Sequence, residues 1–562
     1  MDYKQSLAEA LAAVCPLTAP EIADLLETPP DPAMGDFAFP CFRLAKTMRK
    51  APPMIAAALC DSIKLPEGMS CAPAGGYINV TVSRDALAKS VLTRVFSEGA
   101  AYGGSTEGQG KNVCIDYSSV NIAKPLHIGH LPTTVIGSAL YRIYNHMGYH
   151  SVGINHLGDW GTQFGKMIYA YKAWGDRKTI EEGGVDELVK LYVRFHQEAE
   201  GNESMNDAAR AWFKRIEDND SEAMELYTWF KEITLKEVAE VYELLNIHFD
   251  SWAGESFYND KMGRVVDELK QKGLLKLDQG ASIVDLSDYK MPPCIILRSD
   301  GATLYATRDI AAALYRKDTY DFAKCLYVVA YQQDLHFRQW FKVVELLGYP
   351  WAKDLVHVSF GMVSGTEGAF STRKGNMVKL RDVLQAAIDK TYAIICEKSP
   401  DLADKERIAK DVGIGALVWN SLYNGRIKDV VFDWDSVLNF DGETGPYVQY
   451  THARACSVLR KKSPELSSVD YSLLSDDESR QLITAIAAFP DAVRDAMEKN
   501  EPYLVSRAIV AICQAFNRFY YEQRIMADDP ALCNARLALT KASRDVIAIG
   551  LTLVGLTAPE RM

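Results

Sequence analysis

Two periods alternate along this chain. Asn112-Val-Cys-Ile-Asp116 is a short apolar, β-branched run, whereas Leu131 to His146 carries Val135, Ile136, Leu140 and Ile143 at helical spacing. The first pattern predicts a buried strand and the second a helix with one apolar face. From Lys111 the strand-then-helix order is that of a doubly wound, Rossmann-like α/β domain. Residues 175–247 are charge-rich and helically periodic (Leu188, Leu191, Phe195, then Trp229, Ile233, Val238, Val241), which predicts a helical insertion in that domain. The sheet pattern resumes at Ser282-Ile-Val-Asp-Leu, Cys294-Ile-Ile-Leu and Leu326-Tyr-Val-Val-Ala330. Beyond Ile414 the periodicity is almost wholly helical to Met562. Ahead of the Rossmann-like part, an amphipathic helix from Lys4 to Val14, Pro/Asp-rich turns and the strand Gly76-Tyr-Ile-Asn-Val-Thr-Val82 predict a small α/β domain. The glycine-rich, apolar-poor stretch Ala101–Gly110 reads as a linker. The expected division is 1–105, 106–413 and 414–562.

Composition narrows the class. A chain of 562 residues is too long for one core, and 48% hydrophobic with 24% charged residues is ordinary for a globular protein. No run of about 18 apolar residues occurs, and Met1-Asp-Tyr-Lys-Gln lacks the basic-then-apolar order of a signal peptide, so neither a membrane partner nor export is expected. The 11 cysteines are scattered with no C-x-x-C, which disfavours a structural zinc site and a disulfide framework and points to reduced thiols in the cytoplasm. A formal charge of −12 argues against indiscriminate nucleic-acid binding, so DNA is not an expected partner, though net charge does not exclude a local basic surface on one face.

Candidate chemistry concentrates at Asn121-Ile-Ala-Lys-Pro-Leu-His-Ile-Gly-His130, between the first strand and its helix. Unpaired N–H groups and the helix dipole make such a turn an anion site. Gly129 would admit a nucleotide, and His127 and His130 could donate to phosphate oxygens; the alternative is a histidine pair satisfied by local carbonyls. Ala369-Phe-Ser-Thr-Arg-Lys-Gly-Asn376 is a second candidate phosphate loop, or a solvated basic turn. Tyr305 and Asp309 are four apart, so a helix would set a phenol and a carboxylate on one face. That pair suits a guanidinium, or is a surface pair in which Asp309 meets Arg308. Asn155-His-Leu-Gly-Asp-Trp-Gly-Thr-Gln-Phe-Gly165 and Val329-Ala-Tyr-Gln-Gln-Asp-Leu-His336 have the look of strand-end loops, where open α/β sheets bind ligands.

In this order the segments resemble class I aminoacyl-tRNA synthetases, and specifically the arginyl-tRNA synthetase family. His127-Ile-Gly-His130 is similar to the "HIGH" signature; Asn121-Ile-Ala-Lys-Pro, Gly158-Asp-Trp-Gly-Thr-Gln-Phe-Gly165, Tyr305-Ala-Thr-Arg-Asp309 and Gln332-Gln-Asp-Leu-His336 resemble the arginine enzymes. Gly35-Asp-Phe-Ala-Phe39 and Gly76-Tyr-Ile-Asn79 resemble an N-terminal domain that binds the tRNA elbow. Thr444-Gly-Pro-Tyr-Val-Gln-Tyr-Thr-His-Ala-Arg454 and Ala558-Pro-Glu-Arg-Met562 resemble a helical anticodon-binding domain.

The resemblance implies that arginine's carboxylate attacks the α-phosphate of Mg²⁺-ATP, and that the terminal ribose of tRNA(Arg) then takes the arginyl group, with no covalent enzyme intermediate. It implies ATP contacts at His127, Gly129, His130, Ser371, Arg373 and Lys374, arginine contacts at Asp116, Ser119, Asn121, Tyr305, Asp309 and Gln333, and tRNA contacts at Asn79, Arg454 and Met562. No tightly bound cofactor and no resident metal site are expected. The second class signature is degenerate: the usual Lys-Met-Ser-Lys-Ser becomes Ala369-Phe-Ser-Thr-Arg373, and Lys124 resembles a lysine that replaces the lost charge, giving it a catalytic role beside His127 and His130. Arginine activation is expected to require tRNA. Asp116 is shorter than the Glu found here in some members, and a water would bridge the difference.

Other readings fit less well. A cysteinyl enzyme would want a zinc site, and glutamyl or glutaminyl enzymes would not present two carboxylates to the side chain. A small adenylyltransferase would leave the helical C-terminal part without purpose, and a non-catalytic RNA-binding relative would not need an ATP site. The helical spacing of Phe516, Phe519, Tyr520 and Tyr521 predicts core packing rather than a base-stacking platform. With no exposed apolar stripe in view, a monomer is expected.

Overall fold

The structure, a computed structural model, describes the chain apart from residues 1, 2, 30, 32, 33, 300–302, 366, 367, 370–377, 440 and 441. At the N-terminus, β1 (Phe37–Pro40), β2 (Met69–Ala74) and β3 (Tyr77–Val82) form an antiparallel sheet in the order β1-β3-β2. The helices Tyr3–Ala12 and Pro52–Ser62 bury Leu7, Leu11, Ile55 and Leu59 in the same core as Ile78 and Val80 of β3.

The central sheet is built from β4 (Asn112–Asp116), β5 (His150–Ile154), β9 (Phe322–Tyr327) and β10 (Leu355–His357), all parallel, in the order β10-β9-β4-β5. The middle of β4 is apolar because both faces of the sheet are covered: Val113, Cys114 and Ile115 are all fully buried. Helix Leu131–His146 joins β4 to its neighbour β5, and helix Asp334–Leu346 joins β9 to β10. The two crossovers leave adjacent strands in opposite directions, which opens a crevice at the carboxyl ends of β4 and β9.

Two of the three segments expected to continue this sheet do not. β6 (Leu275–Asp278), β7 (Ala281–Val284) and β8 (Cys294–Leu297) form a separate antiparallel sheet, and only the Leu326 segment joins the parallel one, as β9. A short apolar run suits either sheet, and only pairing decides between them. The helical insertion is present as Arg177–Gly183, Val185–Glu198, Glu203–Glu217 and Ser221–Leu244. The C-terminal part is a helical bundle dominated by Gly445–Lys461, Asp477–Lys499, Tyr503–Glu522 and Pro530–Leu553. Helix Lys405–Leu422 runs unbroken through position 414, so the junction there is a helix rather than a loop.

The expected linker is packed. Tyr102 is 1% exposed, and its hydroxyl donates to the Ile486 carbonyl of the C-terminal bundle at 2.9 Å. A Cβ on Gly103 would lie 3.0 Å from the Phe489 ring, and one on Gly108 would lie 2.2 Å from Tyr149. These glycines serve close packing rather than freedom. Asp36 also crosses between domains, accepting from the Val82 amide at 2.8 Å and from Arg480 of the bundle at 2.9 Å. Among the described residues no helix is long and apolar enough to cross a membrane.

Candidate active site

The crevice is walled by two loops and one helix. The first loop leaves β4, passes Asn121 and Lys124, and enters helix Leu131–His146 through the turn Ile128–His130. Ser118, Ser119 and Ala123 of this loop hold φ of 70°, 49° and 61°. Left-handed backbone is unfavourable for residues with a Cβ and persists only where surrounding contacts enforce it.

The two imidazoles are oriented by the backbone of their own turn. The Gly129 N–H donates to His127 Nδ1 at 3.1 Å, and the His127 N–H donates to His130 Nδ1 at 3.2 Å. A backbone N–H can only donate, so His127 Nδ1 is an acceptor and that ring carries its proton on Nε2. His130 Nδ1 lies between the His127 N–H at 3.2 Å and the His127 carbonyl at 3.3 Å, which leave either tautomer a partner. Burial, reinforced by the neighbouring imidazole and Lys124, pushes His130 down to about 3. Burial and then the Lys124 charge lower His127 as well. Both rings are therefore neutral at physiological pH, and His127 presents an Nε2–H suited to polarise a phosphate oxygen without titrating. Gly129 has a second reason to lack a Cβ, which would stand 2.9 Å from the His127 ring. Lys124 is exposed beside this pair, and its charge reaches both rings.

Asn121 is fixed by the loop that follows β5. It pairs with Gly158 in a parallel bridge, with the Gly158 N–H on the Val120 carbonyl at 2.8 Å and the Ile122 N–H on the Gly158 carbonyl at 3.1 Å. A Cβ on Gly158 would lie 2.3 Å from Asn121 Oδ1. Two of the sequence motifs are thus one structural unit. Asp159, next in the chain, is fully buried and accepts from Lys231 at 2.6 Å and from both the amide and the hydroxyl of Ser256.

Asp116 stands at the carboxyl end of β4 with both oxygens engaged by the protein itself. Arg316 Nη2 donates to Oδ2 at 2.7 Å and Ser119 Oγ to Oδ1 at 2.8 Å. The ion pair is almost dry, with side chains 1% and 8% exposed. Arg316 lies on helix Tyr305–Tyr320, and the same Nη2 reaches His156 Nδ1 at 3.4 Å.

Tyr305 and Asp309 share the first turns of that helix, the phenol 68% exposed. His336 Nε2 donates to Asp309 Oδ2 at 2.6 Å, and Gln333 is exposed on the turn just before. Sequence reasoning missed Glu255. Its carboxylate meets Arg308 at 3.5 Å and accepts from the Trp160 backbone N–H, close to Asp309 and Asp159. Burial raises it to about 7 against the pull of Arg308, with the two aspartates adding to the rise. Neither periodicity nor motif marks this residue, a single Glu in an irregular segment.

Three sequence candidates belong to the terminal domains. Asn79 is a half-buried β3 residue paired with Ala38 and Ala72. Met562 packs on Ile395, Ile408 and Val412. Arg454 donates to Asn517 and lies 5.0, 5.3 and 5.4 Å from the ring centres of Tyr450, Tyr520 and Tyr521. The aromatic cluster expected in the core divides here: Phe516 and Phe519 are fully buried, while Tyr520 is 38% and Tyr521 71% exposed. The last turn of the helix carries these two rings past the packed face. Ser371, Arg373 and Lys374 lie outside the described residues.

Comparison with known proteins agrees with this architecture over the whole chain. The family description "tRNA synthetases class I (R), catalytic domain" matches residues 91–434, "Arginyl tRNA synthetase N terminal domain" matches 1–82, and "DALR anticodon binding domain" matches 448–562. Arginine–tRNA ligases from Alkaliphilus metalliredigens and Clostridioides difficile are each 53% identical, over 100% of both chains. The solved Thermus thermophilus arginyl-tRNA synthetase superposes with a TM-score of 0.82 at 25% identity, covering 100% of this chain and 99% of that one. A Mycobacterium tuberculosis methionyl-tRNA synthetase shares the fold at a TM-score of 0.51 and 12% identity. The chain belongs to the arginyl-tRNA synthetases of class I.

Proposed function

We infer that this crevice runs the two-step reaction of its family: arginine and ATP give arginyl-adenylate and pyrophosphate, and tRNA(Arg) then accepts the arginyl group and releases AMP. The observation that carries the reading is the convergence on one crevice of two neutral imidazoles with Lys124 and a carboxylate cluster holding Asp309. In our assignment His127 and His130 donate to phosphate oxygens, and Lys124 offsets the charge that develops as pyrophosphate leaves. Gly129 gives the nucleotide room, and Ser371, Arg373 and Lys374 add pyrophosphate contacts. Mg²⁺ enters as the ATP complex, held mainly by phosphates and water.

Tyr305 and Asp309 take the guanidinium, with Glu255 as the nearby second acid. His336 holds the Asp309 oxygen that the ligand would claim, so arginine exchanges one hydrogen-bond donor for another instead of meeting a bare carboxylate. Asn121, Ser119 and Gln333 bind the α-amino and carboxylate end. Asp116, engaged by Arg316, supports the arginine pocket through that pair, or through a bridging water. On the RNA side, Arg454 with Tyr450, Tyr520 and Tyr521 offers exposed π-faces and a cation to unpaired bases. Asn79 and Met562 are the further contacts.

Cytoplasmic action, supported by eleven free cysteines, and a monomeric state complete the proposal. Offering the twenty amino acids in turn, with ATP and total tRNA, tests it. Arginine alone should be attached to tRNA. Charging of another amino acid without arginine would overturn the reading.

A further inference from the structure

The insertion helix Ser221–Leu244 reaches into the loop that carries Asn121 and Lys124. Thr234 is fully buried, and its hydroxyl accepts the Ala123 N–H at 3.1 Å while donating to the Phe230 carbonyl at 2.9 Å. Ala123 is one of the left-handed residues and directly precedes Lys124. Two turns on, the Tyr242 hydroxyl lies 2.6 Å from Ser118 Oγ, at another left-handed residue, and accepts from Asn155 Nδ2 at 3.0 Å. The insertion also grips the other side of the histidine turn. Asp186 pairs with Lys379 and Glu240 with Arg381 at 3.3 Å, while Lys379 is bridged to His127, and the Ile128 N–H donates to the Val378 carbonyl. The exposed pairs contribute little alone; the buried hydroxyl contacts are directional and dry.

We propose that the helical insertion is a positioning element for the activation site, with Thr234 the residue that fixes the backbone from which Lys124 projects. Lys124 follows a residue whose conformation is intrinsically unfavourable, and Thr234 supplies the partner for that residue's buried N–H. Without the hydroxyl the loop can relax toward ordinary φ and carry the ammonium away from the imidazole pair. The substitution Thr234→Val conserves volume and shape, so its effect reads the hydroxyl rather than a cavity. This proposal rests on Lys124 acting as the catalytic cation.

The test is arginine-dependent ATP–pyrophosphate exchange by the full chain in the presence of tRNA. Thr234→Val, Thr234→Ser, Lys124→Met and the Thr234→Val/Lys124→Met double variant are compared with the parent, and melting is recorded for each. Thr234→Val should lower kcat about tenfold while arginine KM changes less than twofold. Thr234→Ser should restore at least half of the rate, and the double variant should be no slower than Lys124→Met. Parental kcat in Thr234→Val, failed rescue by serine, or additive losses in the double variant overturn the proposal alone. Parental exchange in Lys124→Met removes the assignment of Lys124, and the proposal with it. A Thr234→Val loss shared equally by kcat and both KM values, together with a large fall in melting temperature, marks Thr234 as merely structural.

Discussion

Asp116→Asn is the most informative single change at the crevice, because it separates an internal role from direct substrate contact. The substitution keeps the side-chain shape and lets Ser119 Oγ continue to donate, at the 2.8 Å contact it now makes to Oδ1. What disappears is the counter-charge to Arg316, whose guanidinium is 1% exposed and 2.7 Å from Asp116 Oδ2. An exposed pair of this length would contribute about 0–1 kcal/mol. A buried charge stripped of its partner costs about 3–5 kcal/mol. At about 1.4 kcal/mol per decade, protection of the β4 and β9 amides from hydrogen exchange should fall by roughly 10² to 10³ or more. Exchange at these amides is the right assay, since a chain with several domains has no single unfolding midpoint. The double variant Asp116→Asn/Arg316→Met removes the orphaned charge and should recover most of the protection. Loss of less than tenfold in the single variant, or no recovery in the double, would refute the ion-pair argument. Arginine KM then gives the functional half. A direct contact leaves it raised in the double variant, whereas a role through Arg316 follows the exchange data.

Gly158→Ala should displace the Asn121 amide, which lies 2.3 Å from the new methyl, and leave the fold nearly untouched because Oδ1 is the free end of a side chain. Loss of a hydrogen bond to a charged ligand group, about 1.5–3 kcal/mol, should raise arginine KM by roughly 10- to 100-fold; an unchanged KM refutes the role given to Asn121. Glu255, raised to about 7, should release its proton when a guanidinium binds nearby, so arginine KM should rise as pH falls below 7, and Glu255→Gln should flatten that profile. On stability the sign is the opposite: the folded state holds this proton more tightly, so its contribution is full below the ordinary glutamate range and is lost as pH rises through about 7. His130, held at about 3, predicts that kcat/KM for ATP shows no acid limb from this ring between pH 5 and 8; loss of such a limb on His130→Asn would contradict the assigned donor state. Arg454→Ala should raise the KM for tRNA about tenfold and leave the KM values for arginine and ATP unchanged, as measured by aminoacylation.

The parts of this site that were legible in the sequence are those whose cause is local. His127, Gly129 and His130 orient one another within four residues through backbone N–H groups, so the motif carries its own geometry. Tyr305 and Asp309 share a helix face for the same reason. Partners supplied by distant segments left no trace. Arg316 is 200 residues from Asp116, Thr234 is 111 from Ala123, and Glu255 reaches the crevice from the start of a single 3-10 turn. The antiparallel β6–β8 sheet was misassigned because an apolar run does not encode which strand it will pair with. The stretch Ala101–Gly110 misled for a related reason, since glycine permits both a free linker and a backbone pressed against Phe489 and Tyr149.

The charges around the crevice divide into two groups, and that division explains how a chain of net charge −12 can hold both a cation and a polyphosphate. Glu255 is perturbed first by burial, then by Arg308, which lowers it, and by the carboxylates of Asp309 and Asp159, which raise it. His127 is perturbed by burial and by Lys124, and His130 by burial, by His127 and by Lys124, with no acid among the causes. On the proposed assignment the guanidinium faces the Asp309 and Glu255 acids and the polyphosphate faces Lys124. Arginine is itself a dipole, so a guanidinium drawn to Asp309 turns its carboxylate toward the cationic end, where the α-phosphate must be for in-line attack. Citrulline has the same length but no charge to orient it, and would leave the acids facing a neutral urea. Lysine brings charge without the planar fork that two acids can share. On this account, discrimination and catalysis have one electrostatic origin. Swapping the sign at Asp309 with Asp309→Lys should abolish arginine activation more completely than Asp309→Ala, while KM for ATP stays within about threefold. A comparable loss for ATP would show that the two charge groups are not separate.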